Sequence, residues 1–247
     1  NLWDEPDLLV RTGSHLYGCS VPESDVYTRG FVVPPAEYLL GRKKWELFES
    51  VAPNPDTVIW SFQKFFGLLE KFSPNTAEIL FAPKEHIIAY SDKGMMMVEN
   101  RHLFVTKRLV APVKGFAFGE WKKAVDYFEQ MRKLGASRKA QIAEHGYSIK
   151  NAYHAVRLLE ECIEFLETGT ITFPRPNADY LKKIRNGEIP VEEVKERYTE
   201  LEAKSVEAEA KSTIPEDVDK EKIDKLYYDI VGPVIAKWSY ERYAEHI

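Results

Sequence analysis

Apolar and polar positions change their rhythm once along this chain, near residue 110. Ahead of it the apolar residues come in short runs. Leu8 to Thr12 is closed by Gly13-Ser14, and Gly30 to Val33 is stopped by Pro34-Pro35, so both segments predict strands. After Pro55-Asp56 the positions Val58, Ile59, Phe62, Phe65, Phe66 and Leu69 recur at i, i+3, i+4 and i+7, which predicts a buried helix face lasting to Ser73-Pro74. Ala77 to Phe81, closed by Pro83, predicts a third strand. Beyond residue 110 the strand signal stops and helical periodicity takes over, with amphipathic stretches near 117–134, 149–168, 190–211 and 219–243. Strands first and helices afterwards predict an α+β fold, with one domain over residues 1–110 and an all-helical domain over 111–247.

At 247 residues, 44% of them hydrophobic, the chain can bury a sizeable core, which excludes disorder as its default state. Its 34 Lys and Arg against 39 Asp and Glu leave a formal charge of −5, so no global positive field draws in nucleic acid and any polyanion contact is local. From Arg101 to Lys150 there are 11 basic and 4 acidic residues. That surplus reads either as a polyanion-facing surface or as ordinary surface lysines balanced by the acidic helix that follows. Glu and Lys at helical spacing from Glu188 to Lys222 read as a solvated helix face. No apolar run approaches the roughly 20 residues of a membrane span. Cys19 and Cys162, far apart and with no secretory pattern ahead of them, read as reduced thiols of a cytoplasmic protein.

The chemistry concentrates near the N-terminus. A strand that delivers Gly13-Ser14 into a short helix points backbone amides and a hydroxyl at one spot, the outline of an anion cradle. Asp25 stands at the start of the next strand, where positions i and i+2 project from one face, and i+2 is Tyr27. Glu78, on the expected strand Ala77 to Phe81, supplies a further carboxylate if that strand lies beside the one bearing Asp25. Lys150, His154 and Arg157 have i, i+4, i+7 spacing and share one helix face. His86, His102 and His145 have no mutual ligand spacing, and no Walker lysine, Ser-His-Asp or dinucleotide glycine motif is present.

Several segments in order resemble the DNA polymerase β-like nucleotidyltransferases, and within them the bacterial and phage branch associated with RNA repair. They are Gly13-Ser14 with Tyr17-Gly18, Ser24-Asp25 with Arg29-Gly30, Asn75 to Phe81, and Gly146-Tyr147 leading to Lys150, His154 and Arg157. Pro174-Arg175-Pro176 and Ile184-Arg185-Asn186-Gly187-Glu188 complete the set, which covers most of residues 8 to 200. The resemblance implies a short mixed sheet with flanking helices, a helical C-terminal domain, and transfer of a nucleoside monophosphate from a nucleoside triphosphate to a hydroxyl. It further implies two Mg²⁺ or Mn²⁺ ions, with Gly13 and Ser14 holding the triphosphate, Asp25 ligating metal, and Glu78 ligating metal or orienting the hydroxyl. Lys150, His154 and Arg157 would face phosphates, with Arg175 and Arg185 as secondary candidates. An RNA end is the implied acceptor, while a protein or small-molecule acceptor and a non-catalytic nucleotide-binding role stay open. The family's metal motif is Asp-x-Asp, whereas this chain has Asp25-Val26-Tyr27. A neutral phenol, with an ordinary pKa of about 10, is a poor Mg²⁺ ligand. The expected consequence is weakened metal binding and impaired turnover.

Overall fold

A computed structural model describes residues 1–50, 55–126 and 135–244. The chain groups into two compact units: residues 1–16, 21–106 and the segment from Asp217 form one, and Tyr17–Ser20 with Lys107–Glu216 form the other.

The first unit is built on a mixed sheet. Its strands are β1 (Leu8–Thr12), β2 (Tyr27–Val32), β3 (Leu47–Ser50), β4 (Asp56–Ser61) and β5 (Ile87–Tyr90), in spatial order β3-β4-β2-β1-β5. β2 and β4 run parallel, and the other neighbours are antiparallel. Buried Asp7 fastens one edge of this sheet. Its carboxylate accepts hydrogen bonds from the Val33 amide at 2.6 Å, the Ser91 hydroxyl at 2.6 Å and the Lys93 ammonium at 2.7 Å, so three segments distant in sequence are fixed by one side chain.

Two segments depart from the sequence reading. The expected helix after Pro55 is a strand for its first turn and a half: Thr57-Val58-Ile59-Trp60 is a β-branched and aromatic run, and it forms β4. Helix α3 (Phe62–Glu70) starts only after Ser61, whose hydroxyl accepts from the Lys64 amide at 3.3 Å and caps it. Conversely, the expected strand Ala77 to Phe81 lies within a helix, Pro74–Phe81. Pro74 stands in its first turn, where the missing amide is no loss. Phe62, Phe65, Phe66 and Leu69 of α3 are all buried, as the helical part of the pattern required.

The last helix, Lys220–Tyr243, buries Ile223, Leu226, Ile230 and Val231 and belongs to this first unit. Its Tyr227 ring lies 5.3 Å from that of Phe62 and 5.1 Å from that of Phe66. A division of the chain at residue 110 therefore differs from the observed grouping at its C-terminal end. Periodicity marks an apolar stripe, but not the face that the stripe will cover.

Among the described residues the second unit is entirely helical. Its long central helix, Ile149–Thr168, buries Ala152, Val156, Leu159, Phe165 and others, and ends at Gly169 in the left-handed conformation. The helix Val191–Lys211 buries Val194, Tyr198, Leu201 and Ala208 and leaves its charged residues outward. Tyr198 stacks on Trp121 of the helix Val110–Val125 at 4.4 Å. The remainder of the helix expected over 117–134 lies, from residue 127, outside the described residues.

Candidate active site

β1 ends at Thr12, and Gly13 turns with φ of 71° into a short helix, Ser14–Tyr17. A Cβ on Gly13 would stand 2.9 Å from Cδ2 of Tyr27. The position thus needs glycine for its left-handed backbone and for the ring packed against it.

Tyr27 is the first residue of β2, and its direct partner in the parallel strand β4 is Asp56, the first residue of that strand. The Tyr27 hydroxyl donates to Oδ2 of Asp25 at 3.3 Å. Asp56 is held from the other side, because Nη1 of Arg29 donates to its Oδ1 at 3.0 Å and to its carbonyl at 2.7 Å. The Arg29 guanidinium also stands 5.3 Å from the Tyr27 ring centre. The phenol is thus hydrogen-bonded to one carboxylate, its residue is in register with a second, and its ring packs against the Gly13 turn.

Burial, and next to it the charge of Asp25, pushes the Tyr27 phenol above its ordinary pKa; the hydrogen bond to Asp25 and the charge of Asp56 add to this, and Arg29 opposes it. The phenol is a neutral donor at physiological pH.

Glu78, the expected second carboxylate, is 3% exposed inside the helix Pro74–Phe81 rather than on a strand neighbouring β2. The strand that does neighbour β2 is β4, and the acid it brings into register is Asp56. Sequence reading missed Asp56 because Pro55-Asp56 resembles a helix start. The β-branched run that follows it was the available signal.

The donor set bears on metal binding. Carboxylate oxygens are the ligands Mg²⁺ takes. Asp25 and Asp56 offer carboxylate oxygens of that kind, whereas Tyr27, in register with Asp56, offers a neutral phenol. Among the described residues, no three His, Cys, Asp or Glu side chains gather as a metal cluster.

The second unit holds the other candidates. Lys150 is exposed, His154 is half-buried and Arg157 is buried on the central helix. Burial, and after it the charge of Arg157, lowers the His154 pKa to about 3; Lys150 and Arg185 add to this, and Glu120 opposes it. The imidazole is therefore neutral at physiological pH. Arg157 donates to Glu161 at 2.7 Å, Arg175 is ion-paired with Glu164, and Nη1 of Arg185 donates to the Cys19 carbonyl at 2.8 Å.

The basic surplus from Arg101 to Lys150 is partly neutralised. Lys107 pairs with Glu216 at 2.6 Å, Lys114 with Glu209 at 2.9 Å and Lys123 with Glu120 at 2.8 Å. Arg132 and Lys133 lie outside the described residues, as does the side chain of Arg138.

Comparison with known proteins adds two findings. The model of a family described as "RNA repair pathway DNA polymerase beta family" matches residues 8–229. An uncharacterized 38.9 kDa protein of Enterobacteria phage T4, encoded in the nrdC-mobD intergenic region, is 26% identical over 181 residues. The match covers 69% of this chain and 49% of the phage protein, so it spans about half the length of that relative.

Proposed function

The chain belongs to the RNA repair pathway DNA polymerase beta family, a group of polymerase β-like nucleotidyltransferases, and on that footing we propose that it is a metal-dependent nucleotidyltransferase acting on an RNA end, attenuated at Tyr27. The observation that carries this reading is Tyr27 hydrogen-bonded to Asp25, in register with Asp56 and packed against the Gly13 turn.

In this reading the Gly13 and Ser14 amides and the Ser14 hydroxyl receive the triphosphate. Asp25 and Asp56 hold a Mg²⁺ or Mn²⁺ ion, which when bound supplies charge neutralisation at the phosphates. The RNA hydroxyl oxygen forms a bond to the α-phosphorus and gives up its proton to solvent, the bond from that phosphorus to the bridging oxygen breaks, and pyrophosphate leaves with the electron pair. Arg29, released from Asp56 when that carboxylate turns to a cation, becomes available to the departing charge. Tyr27 weakens the site because it contributes a proton donor where a carboxylate would contribute charge. On the second unit, Lys150 is an exposed cation available to an anionic ligand, and neutral His154 accepts or donates a hydrogen bond without gaining a proton. RNA contact draws on the basic surplus of the 101–150 segment.

Incubation with each labelled ribonucleoside triphosphate, Mg²⁺ or Mn²⁺ and a pool of RNAs tests this reading. Slow incorporation of label into RNA, faster with Mn²⁺, is the expected result. Label on a protein or small molecule instead would overturn the RNA assignment. Triphosphate binding with no transfer under any condition would favour a non-catalytic nucleotide-binding role, for which the bond from the Tyr27 hydroxyl to Asp25 is the supporting observation.

A further inference from the structure

The stretch Tyr17–Ser20 lies in the chain between Gly13-Ser14 and Ser24-Asp25, and it belongs to the helical unit. That unit holds it at almost every group it offers. The Arg157 guanidinium, fixed by Glu161, stands 3.9 Å over the centre of the Tyr17 ring. The Arg175 amide donates to the Tyr17 carbonyl at 3.0 Å, while the Arg175 side chain is occupied by Glu164 and by the Thr172 carbonyl at 3.2 Å. Nη1 of Arg185 donates to the Cys19 carbonyl at 2.8 Å, and Cys19 Sγ lies 3.0 Å from the Tyr153 hydroxyl. Between them Gly18, with φ of 78°, packs so closely on Pro174 that an added Cβ would come within 2.6 Å of it.

Two arginine side chains and the backbone amide of a third arginine therefore converge on four residues. Two of these arginines, Arg157 and Arg175, are 6% and 4% exposed and carry carboxylate partners of their own. A buried guanidinium already paired with a carboxylate and turned onto a ring or a short loop is committed to structure, because taking it from its partner leaves an uncompensated buried charge.

We infer that Arg157 and Arg185 are positioning residues rather than phosphate ligands: with the Arg175 amide they clamp Tyr17–Ser20 and thereby steady the stretch of chain that connects the Gly13-Ser14 turn to Asp25. The inference rests on the proposed function only for the place of the triphosphate. It explains why arginines far apart in sequence accompany the Gly-Ser and Asp segments without any of them having to reach a nucleotide.

The test compares the unaltered chain with Arg185→Met, Arg185→Lys and Gly18→Ala. The last changes no charge and disturbs the same segment from the opposite side. Binding of inorganic tripolyphosphate with Mg²⁺ is measured at low and high salt, and hydrogen exchange is measured at residues 14–25 without ligand. The clamp predicts that Arg185→Met and Gly18→Ala each weaken binding by roughly tenfold, with the salt dependence of the unaltered chain, and that both speed exchange at residues 17–25. Arg185→Lys, which can still donate to the Cys19 carbonyl, should recover most of the affinity.

A shallower salt dependence in Arg185→Met with exchange unchanged would overturn the inference, since it would put Arg185 on the phosphates. Faster exchange with unaltered affinity would overturn it equally, because the held segment would then not serve the turn. If the unaltered chain binds no tripolyphosphate, the proposed triphosphate site fails. The exchange measurement separates that failure from the clamp's, because it needs no ligand: unchanged exchange in Arg185→Met and Gly18→Ala would remove the clamp as well.

Discussion

Tyr27 changes the electrostatics of its surroundings more than their shape. The carboxylates of Asp25 and Asp56 and the guanidinium of Arg29 sum to one negative charge, and a carboxylate at position 27 would make it two. Two unit charges about 4 Å apart interact by about 4 kcal/mol at the effective dielectric of a protein surface, and a divalent ion doubles the effect. Asp56 should therefore matter most once position 27 is an acid. In a Tyr27→Asp background, Asp56→Asn is expected to lower transfer by roughly a hundredfold or more, measured as initial rate at saturating triphosphate. A rate within threefold of the parent would remove Asp56 from the site. His154 makes a separate prediction through its pKa of about 3. The folded state binds the proton less well than the unfolded state, whose imidazole titrates near 6.5. The contribution is therefore complete above pH 6.5 and is lost as pH falls from there toward 3. Denaturant titrations between pH 6 and 4 should show the chain losing up to about 1.4 kcal/mol per pH unit more than His154→Gln does. Parallel losses in the two proteins would place His154 in water.

At the scale of elements, what was legible in the sequence and what was not divides on a physical line. The three long helices 149–168, 191–211 and 220–243 repeat one period for five turns or more, and their expected bounds agree with the observed ones to within a residue. β1 and β2 were marked by Gly-Ser and Pro-Pro stops. One misreading falls where strand passes directly into helix with no turn residue between, and the other is a short apolar run, Ala77 to Phe81, that lies within a helix. β4 ends at Ser61 and α3 begins at Phe62, so Val58 and Ile59 fall by chance on the helix period of Phe62, Phe65 and Phe66. The handover also concealed that Asp56 begins a strand beside β2, while the short apolar run placed Glu78 on a strand that is a helix. Gly13, Ser14 and Asp25 were readable from local turn and strand chemistry, whereas the pairing of Tyr27 with Asp56 is a register between strands far apart in sequence. Ser61 is where the two patterns separate, and its hydroxyl caps α3. Ser61→Ala should cost about 1 kcal/mol in denaturant stability. No loss would mean that burial of the Phe62, Phe65 and Phe66 face alone starts the helix.

For the whole molecule, chain order and spatial grouping are different things. The first unit takes its last helix from beyond the second unit, and that helix contributes Ile223, Leu226, Ile230 and Val231 to burial. Residues 1–110 alone should then lack a cooperative thermal transition, and adding a peptide of residues 217–247 in trans should restore one. A sharp transition in 1–110 alone would contradict the grouping. Among the described residues no helix is long and apolar enough to cross a membrane, and the phage relative extends well beyond the matched segment. The central claim concerns the full chain, and it rests on one side chain, Tyr27. It is tested most directly by the initial rate of labelled nucleotide transfer to RNA, with Mg²⁺ and with Mn²⁺, for the chain as it stands and for Tyr27→Asp. The account predicts a rise of roughly a hundredfold or more on restoring the carboxylate, largest with Mg²⁺. Equal rates in the two proteins, or a fall in Tyr27→Asp, would contradict it.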